Sequence, residues 1–97
     1  MSCKEVAVFQ FKQDCLKGAV ELNKQLIVEM QENSEGTLLN FEVLQSLKDP
    51  CIFTWLIDWT DAKAAKKTTD KWLSFPSNKK FSSSVEKDIF YDFLERQ

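Results

Sequence analysis

Polar and apolar residues alternate at the start of the chain, and the spacing of the apolar ones then lengthens to three and four. The alternation over residues 5–12 (EVAVFQFK) predicts a strand with Ala and Phe side chains on one side. The longer spacing over residues 15–32 predicts an amphipathic helix, with Asp14 as its N-cap and Gly18 in its first turn. The chain is therefore expected to begin with a strand and a helix.

Two more apolar segments follow in close succession, and each shows the alternation of a strand. They span residues 37–47 and 51–59, and Gly36 offers a left-handed conformation at which the preceding helix can end. The turn KDP between the two segments contains Pro50, which suits a loop or a strand start. So short a connection predicts an antiparallel hairpin.

The last third of the chain repeats the change from helix to strand. Residues 61–73 have the spacing of a second helix, and either Thr60 or Asp61 is expected to be its N-cap. Residues 74–87 are polar and Ser-rich, which predicts a loop with one short helical turn beginning at Ser77. Residues 88–95 (DIFYDFLE) alternate again and are predicted to form the last strand.

The resulting order β-α-β-β-α-β is typical of the ferredoxin-like arrangement. The predicted fold class is α+β, with one four-stranded antiparallel sheet and both helices on one face. With 97 residues, the chain is expected to form a single domain, residues 1–97.

The segment CIFTWLIDW, residues 51–59, is apolar on both sides of the predicted strand, so the face without helices also needs a cover. A patch of this kind exceeds what a monomer usually exposes. A second copy, nucleic-acid bases or a different protein could cover it. A homodimer formed sheet to sheet is the simplest of the three, because most oligomers are symmetric. Base stacking is disfavoured, because the segment lacks the Gly and the basic residue of RNA-recognition strands.

Charge and hydropathy narrow the classes of function. The formal net charge of −2 argues against a nucleic-acid partner, which would favour a basic excess. No apolar run approaches the ~20 residues of a membrane span, so no membrane partner is expected. The N-terminal stretch has no signal-peptide pattern, and a cytoplasmic location is the expectation.

The residue types that dominate metal and nucleophilic chemistry are sparse. The chain has no His, which excludes a Ser-His-Asp triad, a His-ligated haem and the common zinc-hydrolase sites. Cys3, Cys15 and Cys51 fit no metal-binding spacing and are expected to be inert thiols. Neither a cofactor nor a metal is therefore expected.

The stretch EGTLLNFEVLQSLKDPCIFTWLIDWTDAKAAKKTTDKW resembles the antibiotic biosynthesis monooxygenase (ABM) family of the dimeric α+β-barrel superfamily. The matching positions are Gly36, Leu38, Phe41, Glu42, Val43, Leu44, Asp49, Pro50, Phe53, Trp59, Asp61 and Ala64. The resemblance implies a homodimer whose two sheets face each other in a barrel, with a small-molecule pocket in each subunit. Active relatives include cofactor-independent oxygenases of quinols and polyketide aromatics, and haem-degrading enzymes.

Two departures from the family pattern bear on activity. Ile57 stands where many relatives carry a Glu, and Thr68 where many carry a His. Haem degradation is disfavoured, because haem-degrading relatives need a His to bind the iron and this chain has none. The residues expected nearest to a pocket are Gln10, Asn40, Trp59, Thr68, Trp72 and Tyr91.

Two functions remain open at this point. The first is a cofactor-independent monooxygenase acting on a quinol or polyphenol-like substrate. The alternative is a non-catalytic dimeric module that binds a small hydrophobic ligand or has a structural role. For Trp59 and Trp72, a place in the hydrophobic core is the simpler alternative to a place beside a ligand.

Overall fold

The computed structural model describes residues 2–97, which form a four-stranded sheet, three α-helices and two short 3-10 segments. The strands are β1 (Cys3–Phe11), β2 (Leu38–Gln45), β3 (Ile52–Trp59) and β4 (Val85–Glu95). The helices are α1 (Ala19–Glu32), α2 (Ala62–Thr69) and α3 (Asn78–Ser84), and the 3-10 segments are Gln13–Cys15 and Trp72–Ser74. The sheet is antiparallel in the order β2-β3-β1-β4. The predicted ferredoxin-like fold is confirmed, with α3 as an additional helix.

The face of the sheet beneath the helices holds the core. Every second side chain of β1 from Cys3 to Phe11 is buried, and so is every second side chain of β3 from Phe53 to Trp59. The register places Phe9 opposite Phe53, so the two buried rows lie side by side. The fully buried apolar residues that α1 contributes are Leu26, Ile27 and Met30.

Helix α1 begins at Ala19, not at residue 15 as the apolar spacing predicts. Gly18 precedes it with φ of 75°, in the left-handed region that Gly enters at little cost. A right-handed helix cannot continue through that conformation, so Asp14 lies in a separate 3-10 segment and is not the N-cap of α1. Gly36 adopts the left-handed conformation predicted for it, with φ of 81°.

Helix α2 is shorter than the predicted span of residues 61–73. Its start agrees with the prediction, because the Asp61 carboxylate caps it by accepting a 2.7 Å hydrogen bond from the backbone N–H of Ala64. The helix ends at Thr69, the second of two consecutive Thr residues, whose β-branched side chains favour helix only weakly. The chain then turns through the second 3-10 segment.

The Ser-rich segment has more regular structure than its composition predicts. It forms the two-turn helix α3 in place of a single turn, and β4 begins at Val85 in place of residue 88. Burial of Phe81 in the core gives α3 a tertiary support that a polar sequence does not reveal. The pairing of β4 with β1 shifts register between Val8 and Phe9 and again before Phe11. Such irregularities break the alternation on which the prediction of the strand depends.

The opposite face of the sheet, here called the open face, carries no helix. Its centre is apolar and half-buried, and consists of Val6, Val8, Ile52 and Leu56. The large apolar residues Leu44, Phe90 and Leu94 extend it towards the edges and are 45%, 47% and 43% exposed. Within residues 2–97, no helix combines the length and the apolar character needed to cross a membrane.

Candidate functional site

A cavity of about 410 Å³ lies between the helices and the half of the sheet formed by β1 and β4. Its wall is mainly aromatic, with two carboxyl groups and one hydroxyl-bearing Thr added to the rings. The residues that line it are Glu5, Ala7, Val8, Phe9, Met30, Trp55, Thr69, Trp72, Phe81, Asp88, Phe90 and Tyr91. Val8 and Phe90 are register partners on the open face, so they border the cavity without pointing into it from the helix side. This size and this composition are typical of sites that bind small molecules.

The carboxylate of Glu5 is the most unusual group in the wall, because it is only 2% exposed and has no cationic partner within residues 2–97. Among the described residues it is satisfied by two neutral donors. Trp59 Nε1 donates to Glu5 Oε1 at 2.9 Å, and the Tyr91 hydroxyl donates to Glu5 Oε2 at 2.8 Å. The three side chains form what we call the Glu5 triad.

Burial raises the pKa of Glu5, and the hydrogen bonds from Tyr91 and Trp59 offset only part of that rise. Burial also raises the pKa of Tyr91, and the neighbouring Glu5 charge raises it further. The phenol therefore stays protonated and acts as a donor. The triad holds a carboxyl group that is more basic than an ordinary Glu and that faces an apolar space.

The sheet register explains how the triad forms. Glu5 lies in the inward row of β1, between Cys3 and Ala7. Tyr91 of β4 is paired with Ala7, and Trp59 of β3 is paired with Cys3. Both aromatic residues are thus diagonal neighbours of Glu5 on the same face, within reach of long side chains.

The direct β3 partner of Glu5 is Ile57. By resemblance, Ile57 is the position at which many ABM proteins carry a Glu. A carboxylate thus lies on this face of the sheet one strand away from the family's position.

A cluster of rings forms a large part of the wall. Phe9 and Trp55 meet edge to face with 5.4 Å between centroids, and Phe81 of α3 lies 5.3 Å from Trp55. Trp72 completes the cluster, with its centroid 5.8 Å from that of Phe81. The Trp55 indole is fixed by a 2.7 Å hydrogen bond to the buried side chain of Asn23. The rings support one another, and these contacts preorganise the cavity.

Helix α3, which carries Phe81, is attached to α1 through a buried carboxylate. Glu29 Oε1 accepts from the backbone N–H of Ser77 at 2.8 Å, and Oε2 accepts from the Ser77 hydroxyl at 2.6 Å. Gln25 donates a third hydrogen bond at 3.1 Å. Burial acts to raise the pKa of Glu29, but these hydrogen bonds outweigh it and the pKa is lowered. Glu29 therefore stays ionised and holds the start of α3.

The structure distributes the six residues predicted near a pocket over several places. Trp72 and Tyr91 line the cavity, and Trp59 lies behind the wall in contact with Glu5. Thr68 is buried beside a separate, smaller cavity of about 130 Å³. Gln10 and Asn40 have β3 partners on the open face, Ile52 and Asp58 respectively.

Sequence reasoning missed Glu5 itself. A signal was present, because Glu5 shares the inward row with Ala7, Phe9 and Phe11. An ionisable residue in such a row is rarely buried without a specific partner.

Within residues 2–97 no three Cys, Asp or Glu side chains come together as a metal site. Cys3 is buried, Cys15 and Cys51 are partly exposed, and all three are free thiols.

No family model and no curated protein matches this chain. Solved structures do match over nearly its full length. A conserved protein from Methanosarcina mazei Go1 is 23% identical with a TM-score of 0.77, covering 100% of this chain and 94% of that one. An antibiotic biosynthesis monooxygenase is 16% identical with a TM-score of 0.78, covering 98% of each chain. SnoaB, a cofactor-independent oxygenase from Streptomyces nogalater, is 8% identical with a TM-score of 0.83, covering 99% and 93%. At these identities the likeness concerns the fold, and this chain has the fold of the antibiotic biosynthesis monooxygenases that the sequence resembles.

Proposed function

We propose that this chain belongs to the ABM family and is a homodimeric, cofactor-independent monooxygenase acting on a quinol or polyphenol-like substrate. The observation that carries the proposal is the Glu5 carboxyl group, buried in the wall of an aromatic cavity with its pKa raised. A base of this kind, next to a space lined by aromatic rings, suits the deprotonation of a phenolic hydroxyl.

The proposed reaction balances without a cofactor. Glu5 accepts a hydroxyl proton, and the electron-rich quinolate supplies electrons to O₂. One oxygen atom forms a bond to a ring carbon and the other leaves as water, so that a quinol and O₂ give a hydroxyquinone and H₂O. The quinol supplies all four electrons that O₂ accepts.

The other cavity residues have supporting roles in this proposal. Tyr91 and Trp59 are positioning residues that fix the Glu5 carboxylate through one hydrogen bond to each oxygen. Each carboxylate oxygen can accept more than one hydrogen bond, so Glu5 keeps the capacity to take a substrate proton. Trp72 and Phe81 would contact the substrate ring. Glu5 would stand in for the carboxylate that many relatives carry at the position of its cross-strand partner, Ile57.

The homodimer belongs to the same proposal and rests on the open face. Its half-buried centre, with Val6 and Leu56, and the exposed Phe90 near it give an apolar surface on the sheet. A second copy packed sheet to sheet would bury it. A cytoplasmic location is also proposed, and the three free thiols agree with a reducing compartment.

A second function is favoured by one feature of the triad. Both oxygens of Glu5 already accept hydrogen bonds from the protein, as expected of a structural carboxylate. In that case the cavity would bind an aromatic ligand within a non-catalytic dimeric module.

Oxygen uptake with hydroquinones in metal-free buffer separates the two functions. If the enzyme proposal is right, one O₂ disappears for each quinol converted. Glu5→Gln should then lower the enzymatic rate by roughly a hundredfold or more, the usual scale for loss of a general base. Glu21→Gln, an exposed change on α1, is the matched control and should leave the rate unchanged. Ligand binding without oxygen uptake above the buffer rate would support the non-catalytic module.

A further inference from the structure

We infer that the cavity selects its ligand by charge, and takes aromatic molecules that carry an O–H or N–H donor and no anionic group. The inference rests on the proposed function, because it concerns the substrate class of the same cavity. The charges and the hydrogen-bonding groups of the wall both favour such a ligand.

The charged groups of the wall all have the same sign. Glu5 and Asp88 line the cavity, and no Lys or Arg is found among the described residues that line it. Three lysines of the segment that contains Thr69 and Trp72 are engaged elsewhere. Lys66 pairs with Asp70 at 3.2 Å, and Lys67 pairs with Glu35 at 3.8 Å. Lys71 Nζ donates to the Asn33 backbone oxygen at 3.2 Å. The lining itself therefore supplies no cation to neutralise an anionic ligand.

The hydrogen-bonding groups of the wall show the same bias. The Tyr91 hydroxyl donates to Glu5, the Trp55 indole donates to Asn23, and the Thr69 hydroxyl donates to the Lys66 backbone oxygen. These donors are already used, whereas an ionised carboxylate can only accept. The Trp72 indole can serve a neutral carbonyl or ether oxygen, but it brings no charge. A ligand that donates to Glu5 fits the wall.

Burial of an anion here would cost far more than burial of the neutral ring that carries it. An anionic group would lose part of its hydration in a largely apolar space and would meet two carboxyl groups. A cationic ligand would meet the opposite situation, because aromatic ring faces and carboxylates both attract positive charge. The order of affinity for one ring system should be amine or hydroxyl first, carboxylate last.

Three naphthalene compounds of similar size test this order at neutral pH. Naphthol is neutral, naphthylmethylamine is cationic and naphthoate is anionic, and their binding can be measured by calorimetry. We expect naphthoate to bind about tenfold or more weakly than naphthol, because like charges in a partly dehydrated site repel strongly. Naphthylmethylamine should bind at least as tightly as naphthol.

Two variants test whether the carboxyl groups of the wall cause the difference in affinity between naphthol and naphthoate. Glu5→Gln should narrow the gap between naphthol and naphthoate, whereas Glu21→Gln should leave it unchanged. Asp88 is exposed, so Asp88→Asn should not disturb folding. It therefore tests the same effect even if Glu5→Gln does not fold. A gap unchanged in both folded variants would overturn the inference, as would equal or tighter binding of naphthoate in the wild type. If none of the three compounds binds, the proposed function fails together with the inference.

Discussion

The Tyr91 hydroxyl donates a 2.8 Å hydrogen bond to Oε2 of Glu5, which lies 86 positions away in the chain. The two residues differ sharply in exposure, since Tyr91 is 54% exposed and Glu5 only 2%. The edge strand β4 thus places an amphipathic side chain over a buried carboxylate of the inner strand β1. This contact connects the two ends of the sequence and fixes one of the two carboxyl groups that line the cavity.

Removal of the Tyr91 hydroxyl should raise the pKa of Glu5 further. The hydrogen bond stabilises the ionised carboxylate, so its loss in Tyr91→Phe favours the protonated form. NMR titration of the Glu5 side-chain carboxyl group measures the shift directly. If the pKa stays unchanged or falls in a folded variant, the hydroxyl does not stabilise the charge. Tyr91→Phe should also lower the free energy of unfolding by about 1.5–3 kcal/mol where Glu5 is ionised, since a hydrogen bond to a charged group is lost.

The raised pKa of Glu5 predicts a particular dependence of stability on pH. The folded state holds the Glu5 proton up to a higher pH than the unfolded state does, so deprotonation of the folded form costs stability. This contribution is fully present below the unfolded pKa and is lost as pH rises through the folded pKa.

Glu5→Gln removes the titration and leaves the other ionisable groups in place. The free energy of unfolding of the wild type should therefore fall relative to that of Glu5→Gln as pH rises from the ordinary Glu range towards neutrality. Urea denaturation of both proteins across this range measures the difference. A difference that is constant with pH would contradict the raised pKa.

Ser77→Ala should loosen the helix that closes one side of the cavity. The substitution removes the 2.6 Å hydrogen bond from the Ser77 hydroxyl to Glu29 and leaves the backbone donor in place. A hydrogen bond to a charged group contributes about 1.5–3 kcal/mol, so a loss of this order is expected in chemical denaturation. Amide exchange over residues 78–84 should become faster.

Ser83→Ala provides the matched control for that variant. Its hydroxyl donates only to the Lys80 backbone oxygen within the same helix, at an exposed position. We expect little change in stability or exchange. Equal effects of the two substitutions would show that the Glu29 contact does not hold α3.

The hydrophobic pattern predicts most of the fold because the elements with regular periods are also those with one buried face. The strands β1 and β3 and the body of α1 follow from the pattern. The pattern does not reveal where α1 begins, since the spacing continues back past Gly18, whose backbone conformation overrides it. It also underestimates α3, which depends on the Glu29 carboxylate and on the burial of Phe81.

The candidate site is harder to predict, because its members meet only in the folded sheet. Trp72 and Tyr91 are suggested by residue type alone. Glu5, the group on which the proposed chemistry depends, requires the register of three strands and the depth of the cavity. A carboxylate on an inward row is the feature of the sequence from which it could have been inferred.

The proposed dimer makes Leu56 a sensitive position. It lies near the centre of the open face, opposite Val6 on the neighbouring strand, and is half-buried in the single chain. A Lys in its place would put two like charges close to each other across a two-fold interface and would leave them without water. We expect Leu56→Lys to weaken dimerisation by roughly a hundredfold or more, since like-charge contacts in interfaces cost several kcal/mol.

Sedimentation velocity at micromolar concentration tests this expectation. The wild type should sediment as a dimer and Leu56→Lys as a monomer with an unchanged circular dichroism spectrum. Leu73→Lys is the matched control, because Leu73 is 89% exposed and lies on the helical side of the fold. It introduces the same charge without touching the open face, so it should remain dimeric. A monomeric wild type would contradict the proposed barrel, whereas a dimeric Leu56→Lys variant would place the interface elsewhere on the molecule.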